Sequence, residues 1–402
     1  MMTTVPAVAH LDHSVEPGGG ELALRRLLET GPAWDAMTFV PPSSTGAGTY
    51  ASLGDAVRVV GVRQPAGVIG ASAGARALML ARVALQAAAL RVAPEFRRCD
   101  VVHTNTSRAA LIGLLATVGS RKRLVVHLRD AVDEAALGGL PARALRAALS
   151  RAHGVIANSD YTLESARRWI RPDAAVAVIP SPIGIDRRRP VAPLRPTVRT
   201  IGMLARLAPW KGQAELVRAF AAACPAGTGS SSGGTVRLQL AGAAAFAEAG
   251  FERELRALID ELGIADRVDL LGHVDDVWPL LDDWDVCVHA STRAEPLGQN
   301  VLQYLAAARP LVATAAGGPL ELVDDGETGL LVEPGDVGAL AAALRRLVDE
   351  PGLREQLHRT VAAWRPVPPD SAVARAHAEL FARVAAPSPA QADVRAARMA
   401  AS

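Results

Sequence analysis

Short apolar runs rich in valine, isoleucine and leucine recur along this chain, and segments with helical spacing of apolar residues separate them. The runs predict strands at residues 5–10, 36–40, 57–60, 100–103, 124–127, 154–157 and 176–179, and again at 200–204, 236–241, 268–271, 286–289, 311–313 and 329–332. Nearly continuous apolar runs are typical of parallel strands that are covered on both faces. The sequence therefore predicts an α/β fold with two doubly wound, Rossmann-like sheets.

A segment rich in proline and arginine separates the two series of runs. Residues 179–196 contain five prolines and four arginines, a composition typical of a linker between domains. We predict a first domain over 1–190, a second over 197–365, a helix over 366–386 that crosses back to the first domain, and a tail over 387–402. Ligands of doubly wound sheets bind beyond the carboxyl ends of the strands, so we expect a cleft that both domains face.

Charge and cysteine content argue against several classes of protein. The net charge is +2 and no long basic run occurs, so we expect no nucleic-acid binding and no membrane contact. The three cysteines, Cys99, Cys224 and Cys287, lie far apart, which argues against a disulfide framework or a zinc site. The first residues lack the basic and apolar regions of a signal peptide, and we expect a cytoplasmic protein.

The most informative segment follows the predicted strand that ends at His289. A loop carries Glu295 and Gly298, a helix begins directly after this loop, and a later strand leads into the pair Gly317 and Gly318. Helix N-termini and glycine-rich turns present unpaired N–H groups that bind phosphate. The segment therefore predicts a site for a phosphorylated ligand.

Two cations follow the first predicted strand of the second half. Arg206 and Lys211 stand just beyond the end of that strand. Positive charges in such a place could neutralise a departing nucleoside diphosphate, which cleavage of a sugar–phosphate bond requires.

Together these motifs resemble those of the group-one family of retaining glycosyltransferases, which have the GT-B fold. The family shows an Arg-x-x-x-x-Lys-Gly segment, a glutamate-bearing loop, a Gly-x-Pro-Val-type strand, Gly-Gly-x-x-Glu and Thr-Gly-Leu-Leu-Val. The same elements occur here in the same order, at residues 206–212, 295–298, 309–312, 317–321 and 328–332. The first half matches more loosely, through a glycine loop at 17–21 and its strand ends.

The resemblance implies a role for each matching residue. In the second half, the residues implied to contact a nucleotide sugar are Arg206, Lys211, His273, Val274, Glu295, Leu297, Gly298 and Gln303. The two cations would bind the diphosphate, and Glu295 would bind hydroxyls of the donor sugar. In the first half, Gly19 and Gly20 would approach the phosphates and His127 would touch the sugar. The implied catalytic residues are thus Glu295, His127, Arg206 and Lys211.

The resemblance also implies the reaction. A sugar would pass from a nucleoside-diphosphate sugar to an acceptor with retention of anomeric configuration, and the leaving phosphate would help to deprotonate the acceptor. It implies no metal and no cofactor besides the donor substrate. We expect the acceptor to be a small molecule, a natural product or a glycan.

One position departs from the family pattern. The second glutamate of the family, which usually binds the ribose of the nucleotide, is replaced here by Gln303. Glutamine keeps an oxygen acceptor but loses the charge, and charge-assisted hydrogen bonds are about 1–2 kcal/mol stronger than neutral ones. Weaker or reoriented nucleotide binding is the resulting hypothesis. Ala308, where the family commonly has glycine, is a smaller departure.

Two other functions are compatible with such a fold. One is a sugar-nucleotide epimerase or a phosphorylase-like enzyme, in which water or phosphate accepts the glycosyl group. The pyridoxal-phosphate lysine context of phosphorylases does not occur in the sequence. The other is a non-catalytic partner that binds a nucleotide sugar, which the replacement at Gln303 suggests.

Overall fold

The computed structural model describes residues 5–64, 73–133, 139–185, 190–225, 235–244, 249–364 and 367–386. The chain forms two compact units, one of Met1–Gly184 with Pro369–Ser402 and one of Ile185–Pro368. The division after Gly184 lies before the predicted boundary at residue 190, and the chain returns to the first unit at Pro369. The predicted tail, 387–402, lies outside the described residues.

The first unit is built on a parallel sheet of seven strands in the order β3-β2-β1-β4-β5-β6-β7. The strands are β1 Ala7–Leu11, β2 Asp35–Val40, β3 Val57–Val59, β4 Val101–Thr104, β5 Arg123–Leu128, β6 Gly154–Ala157 and β7 Ala175–Val178. The helices are Gly19–Glu29, Ala73–Val92, Pro94–Arg98, Ser107–Thr117, Gly139–Leu149, Asp160–Ala166 and Asp370–Ala385, with 3₁₀ turns at Gly48–Ala56 and Arg167–Trp169. Strands β4 and β6 are buried at every position, as expected of strands covered on both faces.

The C-terminal helix, Asp370–Ala385, belongs to the first unit. It packs against β4, β5, β6 and β7, and its Phe381 is fully buried in the core of that unit. The carboxylate of Asp370 accepts hydrogen bonds from the backbone N–H groups of Ile183, at 3.0 Å, and Gly184, at 2.9 Å. These bonds join the helix to the last residues before the division, which explains why the first unit ends at Gly184.

The second unit has a parallel sheet of six strands in the order β10-β9-β8-β11-β12-β13. The strands are β8 Thr200–Leu204, β9 Arg237–Ala241, β10 Val268–Gly272, β11 Val286–His289, β12 Leu311–Thr314 and β13 Leu330–Val332. The helices are Gln213–Ala223, Ala249–Glu261, Trp278–Asp283, Gln299–Ala306, Pro319–Leu322, Val337–Asp349 and Pro351–Trp364, with 3₁₀ turns at Pro209–Lys211 and Ala265–Arg267.

The order of strands in the second unit creates a switch point between β8 and β11. From β8 the chain proceeds outward to β9 and β10, then returns to the middle of the sheet and proceeds outward in the other direction. The loops that leave β8 and β11 therefore diverge, and ligands of doubly wound sheets bind in the space between such loops.

The α/β class with two doubly wound sheets is confirmed, and each predicted run overlaps a strand of the described residues. Among the helices of the described residues, none combines the length and apolar character that a membrane crossing requires.

Candidate active site

Glu295 lies at the switch point, in the loop between β11 and the helix Gln299–Ala306, and is 6% exposed. Three side chains donate to the same carboxylate oxygen, Oε1: Lys211 Nζ at 2.8 Å, His289 Nε2 at 3.0 Å and the Ser291 hydroxyl. Burial by itself would raise the pKa of Glu295. The hydrogen bond from His289, together with the charge and hydrogen bond of Lys211, outweighs burial and holds that pKa well below its usual range. Glu295 is therefore an ionised carboxylate.

The three donors leave one side of the carboxylate for a ligand. None of the described residues is recorded as donating a hydrogen bond to Oε2 of Glu295. A carboxylate with one oxygen fixed by the protein and one oxygen open is suited to accept hydrogen bonds from hydroxyl groups.

His289 fixes the orientation of this carboxylate. Its ring bridges Glu295 and the hydroxyl of Thr314, which lies 3.1 Å from His289 Nδ1. The ring is fully buried at the end of β11, so neither the ring nor the carboxylate can turn without breaking several hydrogen bonds.

The backbone of the Glu295 loop is held against a pair of glycines. Gly318 donates its N–H to the carbonyl oxygen of Glu295 at 2.8 Å. Gly317 has a φ of +68°, and a Cβ placed on it would lie 2.2 Å from that same carbonyl oxygen. A Cβ on Gly318 would lie 2.6 Å from the backbone of Leu297. Only glycine permits this approach, so the pair determines where the carboxylate stands.

A comparison of two glycines tests this positioning. Gly317→Ala and Gly326→Ala both place alanine at a positive φ, +68° and +77°, a strain of about 1–2 kcal/mol in each case. Nothing lies within 4 Å of the added Cβ at Gly326, whereas at Gly317 it meets the Glu295 backbone. We expect Gly317→Ala to unfold at a lower denaturant concentration than Gly326→Ala. We also expect its kcat/KM to be about tenfold or more below that of Gly326→Ala, because small displacements of catalytic groups are costly.

Urea unfolding and initial rates of both variants provide the measurement. Equal loss of activity in Gly317→Ala and Gly326→Ala would contradict the role assigned to the glycine pair.

The two predicted cations, Arg206 and Lys211, both contact the ring of Trp210. The Trp210 ring lies 4.3 Å from Lys211 Nζ and 5.6 Å from the guanidinium carbon of Arg206. Gly212 follows with a φ of +79°, and a Cβ on it would lie 1.8 Å from the carbonyl oxygen of Ala290. This contact holds the loop after β8 against the loop after β11, so that Lys211 reaches Glu295.

The other predicted donor-site residues divide into two groups. Leu297 and Gln303 are buried, and Gly298, with a φ of +74°, precedes the helix Gln299–Ala306. These residues therefore adjoin the Glu295 loop. His273 is exposed and lies 3.2 Å from Asp275, and Val274 is half-buried; both follow β10, which β9 separates from β8. The structure records no contact of either with Glu295 or Lys211.

The predicted residues of the first unit gather at the ends of β1, β4 and β5. Gly19 is the first residue of the helix Gly19–Glu29. A Cβ on Gly20 would lie 2.9 Å from the side chain of Arg129. His127, on β5, is 2% exposed, with Nδ1 bonded to His103 and Nε2 buried without a partner among the described residues.

A buried carboxylate, Asp12, stands beside these residues. Its oxygens accept hydrogen bonds from Tyr50 at 2.6 Å, from Asn105 at 2.7 Å and from the N–H of His13 at 2.7 Å. Asp12, His13 and Glu21 are close enough together to hold a cation, but these donors account for the charge of Asp12 without one. Burial and the charge of Asp12 raise the pKa of Glu21 to about 8, so Glu21 retains its proton at neutral pH.

Sequence reasoning missed three residues of the second unit's site. His289 and Ser291 donate hydrogen bonds to Glu295, and the ring of Trp210 makes cation–π contacts with both Arg206 and Lys211. Neither His289 nor Trp210 was among the predicted site residues. The available signal was position: polar side chains directly after a buried parallel strand lie at the ligand-binding edge of a sheet.

Models of two glycosyltransferase families match the chain. The family described as "Glycosyl transferases group 1" matches residues 185–364, and "Glycosyltransferase Family 4" matches residues 41–187. The two matches lie almost entirely in the second and first units, respectively.

Curated relatives include glycosyltransferases of several pathways. The chain is 39% identical over 109 residues to the lipopolysaccharide core biosynthesis glycosyltransferase LpsE of Rhizobium meliloti, a match that spans 27% of this chain and 32% of that protein. It is 30% identical over 282 residues to the D-inositol 3-phosphate glycosyltransferase of Actinosynnema mirum, spanning 64% of this chain and 66% of that protein. The chain thus matches about a third of the length of LpsE.

Solved structures match over nearly the whole chain. HepE of Anabaena in complex with UDP-glucose has a TM-score of 0.76 and 25% identity, covering 94% of this chain and 99% of that chain. Sucrose-phosphate synthase from Thermosynechococcus elongatus has a TM-score of 0.73 and 20% identity, covering 94% of this chain and 99% of that chain, and it supports the fold alone. From these matches and the two family models, we conclude that the chain has the GT-B fold and belongs to the group 1 glycosyltransferases.

Proposed function

We propose that this protein transfers a sugar from a nucleoside-diphosphate sugar to an acceptor hydroxyl with retention of anomeric configuration. The observation that carries the proposal is the buried, ionised carboxylate of Glu295, which is bonded to Lys211 at the switch point of the second sheet. This arrangement places a carboxylate, which can accept hydrogen bonds from sugar hydroxyls, beside a cation, which can bind a diphosphate. A sugar diphosphate requires both groups.

The chemistry follows from where the charges stand. The bond between the anomeric carbon and the diphosphate oxygen breaks, a bond between that carbon and the acceptor oxygen forms, and the acceptor proton passes to the leaving diphosphate. Negative charge develops on the departing oxygen, and Lys211 and Arg206 stabilise it. Glu295 holds sugar hydroxyls through Oε2 while its other oxygen remains bonded to Lys211.

Uridine diphosphate is the nucleotide we propose to test first. HepE of Anabaena, the relative bound to UDP-glucose, matches 94% of this chain. We further propose that the donor contacts of the resemblance hold for Leu297, Gly298 and Gln303, which adjoin the Glu295 loop, and for His273 and Val274 at the end of β10. For the first unit, we propose that Gly19 and Gly20 contact phosphate oxygens and that His127 contacts a sugar oxygen.

The replacement at Gln303 gives a prediction about affinity. Gln303→Glu restores the charge that group-one relatives usually have at this buried position, and a charge-assisted hydrogen bond to the ribose should tighten UDP binding by about tenfold. Isothermal titration of UDP into both proteins measures the effect. Gln303→Met, which removes the polar group, is the control and should weaken binding. Unchanged affinity in both variants would place Gln303 outside the ribose site.

Product analysis tests the proposed function against its alternatives. The full chain is incubated with a panel of nucleotide sugars, with UDP-glucose first, and a panel of acceptor alcohols. We expect free UDP together with a glycoside whose anomeric proton shows the configuration of the donor. An inverted glycoside would contradict retention. An epimerised nucleotide sugar would support the epimerase alternative, and tight binding without turnover across the panel would support the non-catalytic partner.

A further inference from the structure

Four buried histidines lie inside the first unit. His10 is on β1, His103 on β4, His127 on β5 and His377 on the helix Asp370–Ala385, and each is at most 2% exposed. His10 Nδ1 lies 3.0 Å from His103 Nδ1, and His103 Nε2 lies 3.1 Å from His127 Nδ1. We call these three bonded rings, His10, His103 and His127, the histidine chain.

The four rings are neutral at physiological pH. Burial lowers the pKa of His10 to about 3 and that of His377 to about 4. Burial also holds the pKa values of His103 and His127 well below the usual range, and the positive charge of Arg129 adds to this effect for both rings. A neutral imidazole has one N–H donor and one lone-pair nitrogen, so each ring in the chain must choose one of two tautomers.

Trp34 makes that choice for the first ring. Its indole Nε1 lies 2.9 Å from His10 Nε2, and an indole N–H can only donate. His10 Nε2 must therefore carry the lone pair, and His10 Nδ1 must carry the hydrogen. The donor-to-acceptor direction of the hydrogen bonds in the histidine chain is thus fixed at the first bond.

The tautomer of each ring then determines the tautomer of the next. His10 Nδ1–H donates to His103 Nδ1, so His103 carries its hydrogen on Nε2 and donates to His127 Nδ1. His127 Nδ1 therefore accepts, and its hydrogen lies on Nε2. That Nε2 is buried and has no partner among the described residues, although a buried N–H group without a partner costs about 1–3 kcal/mol.

His377 cannot reverse this polarity. Its Nδ1 lies 2.8 Å from the carbonyl oxygen of Val373, in its own helix, so Nδ1 is the donor and Nε2 carries the lone pair. The His377 ring faces the chain, 5.7 Å from His127 between ring centroids. Because its N–H is bonded to Val373, His377 donates no hydrogen bond to any ring of the histidine chain.

We propose that Trp34 fixes the tautomer of His127 through His10 and His103, so that His127 presents an N–H donor to an oxygen atom of the substrate. Trp34, His10 and His103 are then positioning residues. The identity of the ligand, an alcohol or other neutral oxygen of a sugar, rests on the proposed function. The tautomer itself does not.

Nitrogen-15 NMR of the histidine side chains tests the tautomer directly. The full chain is labelled at histidine, and the His127 signals are assigned by their absence in His127→Gln. In the ligand-free wild type we expect a protonated Nε2 and an unprotonated Nδ1 on His127. A His127 that is cationic or protonated on Nδ1 would overturn the proposal.

Removal of the indole donor tests the role of Trp34. Trp34→Phe keeps an aromatic ring but frees His10, so His127 should show a mixture of tautomers. Trp284→Phe is the matched control, because Trp284 is also buried and donates its indole N–H to Gln239 at 2.8 Å in the second unit. It should leave the His127 tautomer unchanged. The wild-type tautomer in Trp34→Phe would overturn the proposal.

A second pair of variants covers the case in which Trp34→Phe fails to fold. His10→Gln keeps an oxygen that accepts from Trp34 and an amide that donates to His103, whereas His10→Leu keeps neither. The proposal predicts the wild-type tautomer of His127 in the glutamine variant and a mixture in the leucine variant. Identical His127 signals in both variants would contradict the relay.

Kinetics connect the tautomer to the substrate. With UDP-glucose as the probe, Trp34→Phe and His10→Leu should lose about tenfold in kcat/KM, and His10→Gln should recover most of it, since one neutral hydrogen bond is at stake. A changed tautomer with unchanged kcat/KM would overturn the link to the substrate. Absence of any transferase activity in the wild type would refute the proposed function, while the NMR result would still decide the tautomer.

Discussion

Replacement of Glu295 by glutamine is expected to lower kcat/KM for the sugar donor by about 10²–10³-fold. Glutamine has nearly the same shape, but the position is 6% exposed and three donors converge on one of its oxygens. Loss of the charge weakens the hydrogen bonds to sugar hydroxyls and releases Lys211 from its partner. Initial rates at saturating and limiting donor concentrations measure both kcat and KM.

Glu333→Gln is the control for this variant. Glu333 is exposed and follows β13, so the same chemical change there should leave the rates within twofold of wild type, as is usual for surface substitutions, whose effect is within about 0.5 kcal/mol. Thermal unfolding of both variants shows whether the protein remains folded. Near-wild-type kcat/KM in a folded Glu295→Gln variant would refute the site assigned here.

Lys211→Ala is expected to have an effect of similar size, about 10²-fold or more in kcat/KM. The loss should appear mainly in kcat, because the ammonium group acts on charge that develops as the diphosphate departs. Lys211→Arg should recover part of the activity, since a guanidinium can keep the charge and stack on Trp210. Donors that differ in the acidity of the leaving group measure this directly, with the better leaving group less sensitive to the substitution.

The chain offers one natural control for Lys211. Its only other lysine, Lys122, lies in the first unit, where it donates to the carbonyl oxygen of Arg97 at 3.0 Å. Lys122→Ala should reduce stability slightly and leave kcat unchanged. An equal loss of kcat in the two alanine variants would show that Lys211 acts through stability and not through the diphosphate.

The sequence predicted the fold well because the strands of parallel sheets are nearly continuous apolar runs. β11 and β12, buried at every position, are examples. Strand ends differ from the prediction by one or two residues, as for β1, which continues to the buried Leu11. The division after Gly184 differs from the predicted boundary at residue 190. It depends on hydrogen bonds that Asp370, nearly two hundred residues away in the chain, accepts from the backbone of Ile183 and Gly184, and local patterning does not report them.

The site was predicted only in part, for a similar reason. Glu295 and Lys211 follow a family pattern, but the sequence alone does not indicate that their side chains bond to each other. The contributions of His289 and Ser291 depend on rotamers at the end of β11, and the histidine chain depends on three strands being adjacent in the sheet. Sequence patterns indicate which residues lie at the carboxyl ends of the strands. To predict the hydrogen bonds among those residues, the register of the strands must also be known.

A crystal structure of the protein with bound UDP-glucose, or with UDP if the sugar is hydrolysed, tests the central claim most directly. The account predicts the diphosphate within hydrogen-bond distance of Lys211 and Arg206, and a hydroxyl of the sugar on Oε2 of Glu295, at the ends of β8 and β11. A nucleotide bound elsewhere, with no contact to these three side chains, would contradict it.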